Sequence, residues 1–181
     1  MKAKALLSIA ALYLVSCGPR AVSPRCDATL TTSVFGEQEV RYYPELRDAL
    51  NCSRQTGRPV LLMFTGYNVA SSASGSWAPL RTEEVRRIID ERLILCALLV
   101  DDRTPLVPED LVDFPQLKGN PTTIGQRNQW LESEFFNSAT QPLYVLVDST
   151  FRQLTVPHGY GPRFQVDEFI TWIEQPLEGE R

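Results

Sequence analysis

The run Val60-Leu61-Leu62-Met63-Phe64, led in by Arg58-Pro59 and stopped at Gly66, is the feature that most constrains the fold of this 181-residue chain. It has the length of a strand, and a strand with no polar alternation needs apolar cover on both faces. Leu93-Ile94-Leu95-Cys96-Ala97-Leu98-Leu99-Val100 repeats the pattern. Gln141-Pro142 opens a third run, Leu143-Tyr144-Val145-Leu146-Val147-Asp148.

Helical spacing fills the intervals. Over 43–55, Leu46, Ala49, Leu50 and Ser53 share one face, and Gly57 is placed as a C-terminal stop before Pro59. The spacing predicts a second helix over 82–92, with Val85, Ile88, Ile89 and Arg92 inward and two glutamates in the first turn, where the helix dipole favours them. A third is predicted over 123–136, with Ile124, Trp130, Leu131 and Phe135 inward, and a fourth over 166–174, carrying Phe169, Ile170, Trp172 and Ile173. A short strand is expected over 29–34, ended by Gly36, and another over 152–156. The order β-α-β-α-β-α-β-β-α predicts an α/β fold, a mixed central sheet flanked by helices. Residues 103–122 are Pro-rich and aperiodic, a loop of the length usually kept for function.

The N-terminus reads as an export signal over 1–16: Lys2 and Lys4, then an apolar stretch from Ala5 to Leu14 too short for a good membrane span. It ends Leu14-Val15-Ser16-Cys17, which resembles the lipobox of bacterial lipoproteins, cut before a cysteine that is then lipidated. The alternative is an ordinary secretory signal with an incidental cysteine. Lipid on Cys17 gives a membrane anchor in the bacterial cell envelope, facing the periplasm, at the outer membrane in preference to the inner. Residues 17–27 are then a tether and 28–181 the folded domain. Without the signal the chain has 16 basic and 22 acidic residues, an acidic balance that argues against a nucleic-acid partner.

Three further cysteines remain. Cys96, within an apolar strand, is expected to be a small core thiol. Cys26 and Cys52 can pair only if their Cα atoms come within ~4.4–6.8 Å, which sequence leaves open. One histidine, His158, sits in the turn-like Val156-Pro157-His158-Gly159-Tyr160, where a solvated residue is expected. With scattered cysteines it makes no metal cluster, and no cofactor is expected. Ser71 or Ser72 with His158 lacks a nucleophile-elbow motif for hydrolysis. Asp101-Asp102-Arg103, ending a strand, reads as a local charge network.

Taken in order, Gly57-Arg58-Pro59-Val60-Leu61-Leu62-Met63-Phe64-Thr65-Gly66-Tyr67, Leu98-Leu99-Val100-Asp101-Asp102-Arg103, Thr140-Gln141-Pro142-Leu143-Tyr144-Val145-Leu146 and Gly159-Tyr160 resemble the thioredoxin-like family. The likeness is nearest to the periplasmic C-terminal domain of DsbD-type thiol:disulfide interchange proteins and spans roughly 43–175. The resemblance implies a Cys-x-x-Cys pair at Val69 and Ser72, and both cysteines are missing. Valine has no nucleophile and a serine hydroxyl cannot form a mixed disulfide, so both half-reactions of exchange are lost.

Pro142 falls where the family carries a cis-proline facing the active-site loop, a place that receives extended peptides. The resemblance therefore implies a redox-inactive binding or accessory module for an envelope protein or peptide, with Tyr67, Trp77, Gln141 and Pro142 as candidate contacts. For Trp77 the sequence allows either an exposed contact or a ring folded onto the core. The alternative function is thiol:disulfide interchange through the non-standard Cys52 or Cys26.

Overall fold

The computed structural model describes residues 26, 30–35, 38–67, 77–107, 119–159 and 165–177. Its elements are β1 (Thr31–Phe35), β2 (Gln38–Tyr42), α1 (Leu46–Thr56), β3 (Val60–Thr65), α2 (Glu83–Arg92), β4 (Ile94–Leu99), α3 (Ile124–Phe136), β5 (Leu143–Val147), β6 (His158–Gly159) and α4 (Val166–Glu174). Short 3-10 turns cover Pro79–Arg81 and Gln175–Leu177.

The three apolar runs are the centre of a four-stranded sheet ordered β4-β3-β5-β6. β3 pairs parallel with β4, from Val60 opposite Ile94 to Thr65 opposite Leu99. It pairs antiparallel with β5, from Val60 opposite Val147 to Phe64 opposite Leu143. Successive side chains point to opposite faces, so each run feeds two cores. Val60, Leu62, Phe64, Ile94, Cys96, Leu98, Val145 and Val147 face the layer of α1 and α3. Leu61, Met63, Leu95, Ala97, Tyr144 and Leu146 face the layer of α2 and α4. That two-sided cover is why no polar residue alternates in the runs. The fold is α/β, a mixed sheet flanked by helices, as the sequence predicts.

Helix ends follow local chemistry. Gly57, at φ 74°, closes α1 by donating its N–H to Ser53, a left-handed position that suits glycine. Arg58 donates to the carbonyls of Ile89, Asp90 and Leu93, capping α2 while it leads into β3. Arg92 ties α2 to α4 through Glu174 at 3.1 Å and the Leu177 carbonyl at 3.1 Å.

Four expectations need correction. The first strand is half of an antiparallel hairpin whose second strand is Gln38–Tyr42. Tyr43, predicted to open the first helix, instead bridges Cys96, donating to Leu95 and accepting from Ala97, and so fastens the hairpin beside β4. Residues 152–156 make no strand: Gln153 forms one isolated bridge to Val147, and the edge strand is His158–Gly159. His158 is accordingly not a solvated turn residue, its ring being 5.6 Å from Phe169 and 5.4 Å from Trp172.

Candidate functional site

The register brings the end of β3, the end of β4 and the start of β5 to one end of the sheet. Beyond Thr65 the chain turns at Gly66, where a Cβ would lie 3.0 Å from an Asp101 carboxylate oxygen. Asp101 occupies that space because both its oxygens accept the Tyr67 N–H, at 2.9 and 3.0 Å. Asp102 accepts the Thr104 N–H through its side chain at 2.8 Å and the Gly125 N–H through its carbonyl at 2.9 Å. The charge network expected at Asp101-Asp102 is thus a set of bonds to backbone amides. At Gly125 a Cβ would sit 2.6–2.7 Å from backbone atoms of Val100 and Asp102, so only glycine lets α3 start this close to β4.

Tyr67 is 56% exposed and lines a cleft of about 410 Å³ with Asp101, Asp102, Arg103 and Thr104. Partial desolvation, then the neighbouring Asp102 and Asp101 charges, push its phenol above the ordinary value. The long 103–122 segment is closed at its base, with Leu106 donating to Thr122 and Ile124 donating to Thr104.

Across from Tyr67, the Gln141–Pro142 peptide bond is cis, one residue before the Leu143–Phe64 pair. Pro142 is buried, and Gln141 is half-buried. The Gln141 amide donates to a carboxylate oxygen of Glu132 at 3.2 Å. Glu132 itself is 1% exposed, and its second oxygen has no partner among the described residues. Burial pushes this carboxyl up to about 7, against the opposing effect of the Gln141 bond. One turn earlier, buried Arg127 pairs with Glu45 at 2.9 Å, and Asn128 donates to the Leu99 carbonyl at 2.9 Å.

Of the residues predicted from sequence, the structure places Tyr67, Gln141 and Pro142 at this end. Trp77 is not a surface contact: it is 2% exposed, packed 5.3 Å from the Tyr42 ring in the α2–α4 core. Val69, Ser72 and Cys17 lie outside the described residues. Cys26 and Cys52 are joined as a disulfide with Cα atoms 5.2 Å apart, the two residues only 9% and 5% exposed. Cys96 is free and fully buried, and burial drives its thiol far above the usual range. Among the described residues no three metal-ligating side chains come together. Glu132 was missed by sequence reasoning. Its signal was the spacing Asn128, Leu131, Glu132, which puts polar groups on the same face as a core leucine.

The strand order, the two helical layers and the cis-proline beside the end of β3 make the architecture thioredoxin-like. In comparisons with solved structures the chain is similar to a DsbH oxidoreductase, 19% identical over 89% of this chain and 93% of that one, at a TM-score of 0.48. It is also similar to a thioredoxin from Thermus thermophilus, 15% identical over 77% of this chain and 89% of the other, at 0.49. No family model and no curated protein matches it.

Proposed function

We propose that this chain is a lipid-anchored thioredoxin-fold protein of the bacterial cell envelope that has lost the redox Cys-x-x-Cys of DsbD-type domains and binds a protein or extended peptide at the Tyr67 and Gln141–Pro142 end. The observation that carries the reading is the distribution of sulfur. None of the chain's four cysteines falls between Gly66 and Pro142 except Cys96, and Cys96 is sealed inside β4. Thiol exchange needs a thiolate that a substrate disulfide can reach. What this end does offer is an exposed aromatic ring, a cleft and a cis-proline at the mouth of a strand, the kind of surface on which extended peptides dock.

The rival, disulfide interchange through Cys26 and Cys52, has one observation in its favour: the two are paired. Their burial opposes it, since an attacking thiolate must reach one of the sulfurs in line. Insulin reduction by the full chain with dithiothreitol as reductant decides between them. The expected result is turnover at background, unchanged by Cys52→Ala. Turnover well above background that disappears in Cys52→Ala would replace the binding role with the interchange role. For the anchor, fatty-acid labelling should be lost in Cys17→Ala, and unlabelled wild-type protein would remove the membrane from the proposal.

A further inference from the structure

Among the described residues, Glu132 is the one buried acid at this end of the molecule with an oxygen that has no hydrogen-bond partner. A neutral carboxyl tolerates such a site far better than a carboxylate, which calls for several donors and here has Gln141 alone. The ionisable groups around it are engaged or turned away. On its own helix Arg127 is held by Glu45 and Asn128, and Glu134 is exposed. On α1, Arg54 bonds Asn51, and neither Arg47 nor Asp48 figures among the influences on the carboxyl, which are burial and the Gln141 bond. At the end of β4, Asp101 and Asp102 are taken by the Tyr67 and Thr104 amides. On β6, His158 packs on Phe169 and Trp172. The segment 137–142 carries no ionisable side chain.

That segment is also the weakest wall of the site. Asn137, Ala139 and Thr140 are exposed, the Ser138 N–H reaches the Glu132 carbonyl only at 3.4 Å, and the Thr140 N–H donates within the segment to the Ser138 hydroxyl at 3.1 Å. Segments with few buried contacts and exposed backbone bonds open first. Hydrating the carboxylate therefore means lifting 137–142 off α3, and Pro142 travels with it.

We propose that Glu132 is a proton-operated latch: with its carboxyl neutral the 137–142 segment stays seated on α3, and loss of the proton to solvent water unseats the segment and frees the Pro142 end for a partner. The use of the latch rests on the binding role proposed above, but its operation does not, because it is read without a partner. The test is amide hydrogen exchange of the full chain followed by mass spectrometry, with rates corrected for intrinsic pH dependence.

In the wild type, amides of 137–143 should exchange faster than those of β3. Their protection should fall about tenfold per pH unit from about pH 5 to about pH 7 and level off above, as linkage requires for a proton held in the closed state and released in the open one. Glu132→Gln should abolish the slope, with Glu132→Met as the second variant should the amide disturb folding. His158→Gln should keep it, which separates the latch from the chain's one histidine. A flat wild-type profile, a slope that survives both Glu132 variants, a slope lost in His158→Gln, or opening of 137–143 no faster than that of β3 would each overturn the latch.

Discussion

Where β3 begins, the chain is fixed by a covalent bond; where β3 ends, single hydrogen bonds surround a buried acid, and an aromatic cluster reaches from one to the other, Phe136 packing 5.7 Å from Phe64. At the first end α1 runs back toward Val60 with Cys52 in its C-terminal half, tied to Cys26. Beyond Val147, opposite Val60, the chain turns through Asp148 to Phe151, whose ring packs 5.0 Å from Phe135 and 5.7 Å from Phe136. Phe151 has φ 65°, a left-handed conformation usually left to glycine in such turns, and its aromatic contacts explain why a large residue is kept there. At the other end Gly66 and Gly125 make room for Asp101 and for the close start of α3, while Glu132 is left half-satisfied. The contrast teaches that this fold puts its covalent restraint away from the Tyr67 and Gln141–Pro142 end. The Gln141–Pro142 end is thereby left, as proposed, to move.

The largest expected effect breaks the fixed end. The disulfide spans 26 residues of sequence, and the chain-entropy account assigns a crosslink of that span about 3.5 kcal/mol. Cys52→Ala should lower the unfolding free energy by about that amount at every pH, read from urea titrations. A loss under ~1 kcal/mol would show that the reduced chain is already held at this point by the aromatic cluster.

The open end should respond with the opposite sign. Glu132 holds its proton to about 7 when folded, against an ordinary value of 4.5, so the unfolded chain ionises first as pH rises. Stability should therefore decline from about pH 4.5 to about pH 7 and then level, by roughly 3 kcal/mol at ~1.4 kcal/mol per unit. Glu132→Gln removes the decline. The variant should match wild type near pH 5 and exceed it by up to roughly 3 kcal/mol near pH 8, and equal stabilities at both pH values would mean that the carboxylate finds donors when charged.

A smaller effect belongs to the turn at the fixed end. Desolvation works against the Asp148 carboxylate, but bonds from Thr150 and Arg152 outweigh it and hold the group at about 2. Its contribution is present above about pH 4 and is lost as pH falls toward 2. Since Arg152 is largely exposed, Asp148→Asn should cost only about 1 kcal/mol at neutral pH and nothing near pH 2, which acid titration of the two proteins compares.

The two ends were not equally readable from sequence. β3, β4 and β5 announced themselves because burial on both faces removes polar alternation, and the helices followed from 3.6-residue spacing between them. Gln38–Tyr42 was missed because an edge strand of mixed polar and apolar residues, Gln-Glu-Val-Arg-Tyr, has neither the run nor a strict alternation. The expected strand over 152–156 failed because Asp148 gathers Thr150 and Arg152 into a local turn that consumes the pairing. The disulfide depended on a distance no spacing reveals. In the candidate site, Tyr67, Gln141 and Pro142 were legible through the resemblance. Trp77 was not, since an aromatic among serines reads equally as contact or filler until Tyr42 is placed beside it. Glu132 looked like an ordinary charged helix position, because only the fold decides which side of α3 lies beneath residue 141.

The smallest expected change in stability is at Tyr67, and it sharpens what the open end is for. Its ring is more than half exposed, and the bond that anchors it to Asp101 comes from the backbone N–H, which alanine retains. Tyr67→Ala should therefore shift the unfolding free energy by less than ~0.5 kcal/mol. A ring kept on the surface at so little benefit to the fold is expected to act on something outside it, since tyrosine supplies a large, rigid contact with few rotamers to freeze. On the binding role proposed above, proteins crosslinked to the wild type from an envelope extract and compared by mass spectrometry with the variants should lose their specific bands in Tyr67→Ala and keep them in Asp148→Asn. A stability loss above ~1 kcal/mol in Tyr67→Ala would assign the ring to the fold, and bands unchanged by it would move the partner's footprint away from the end of β3.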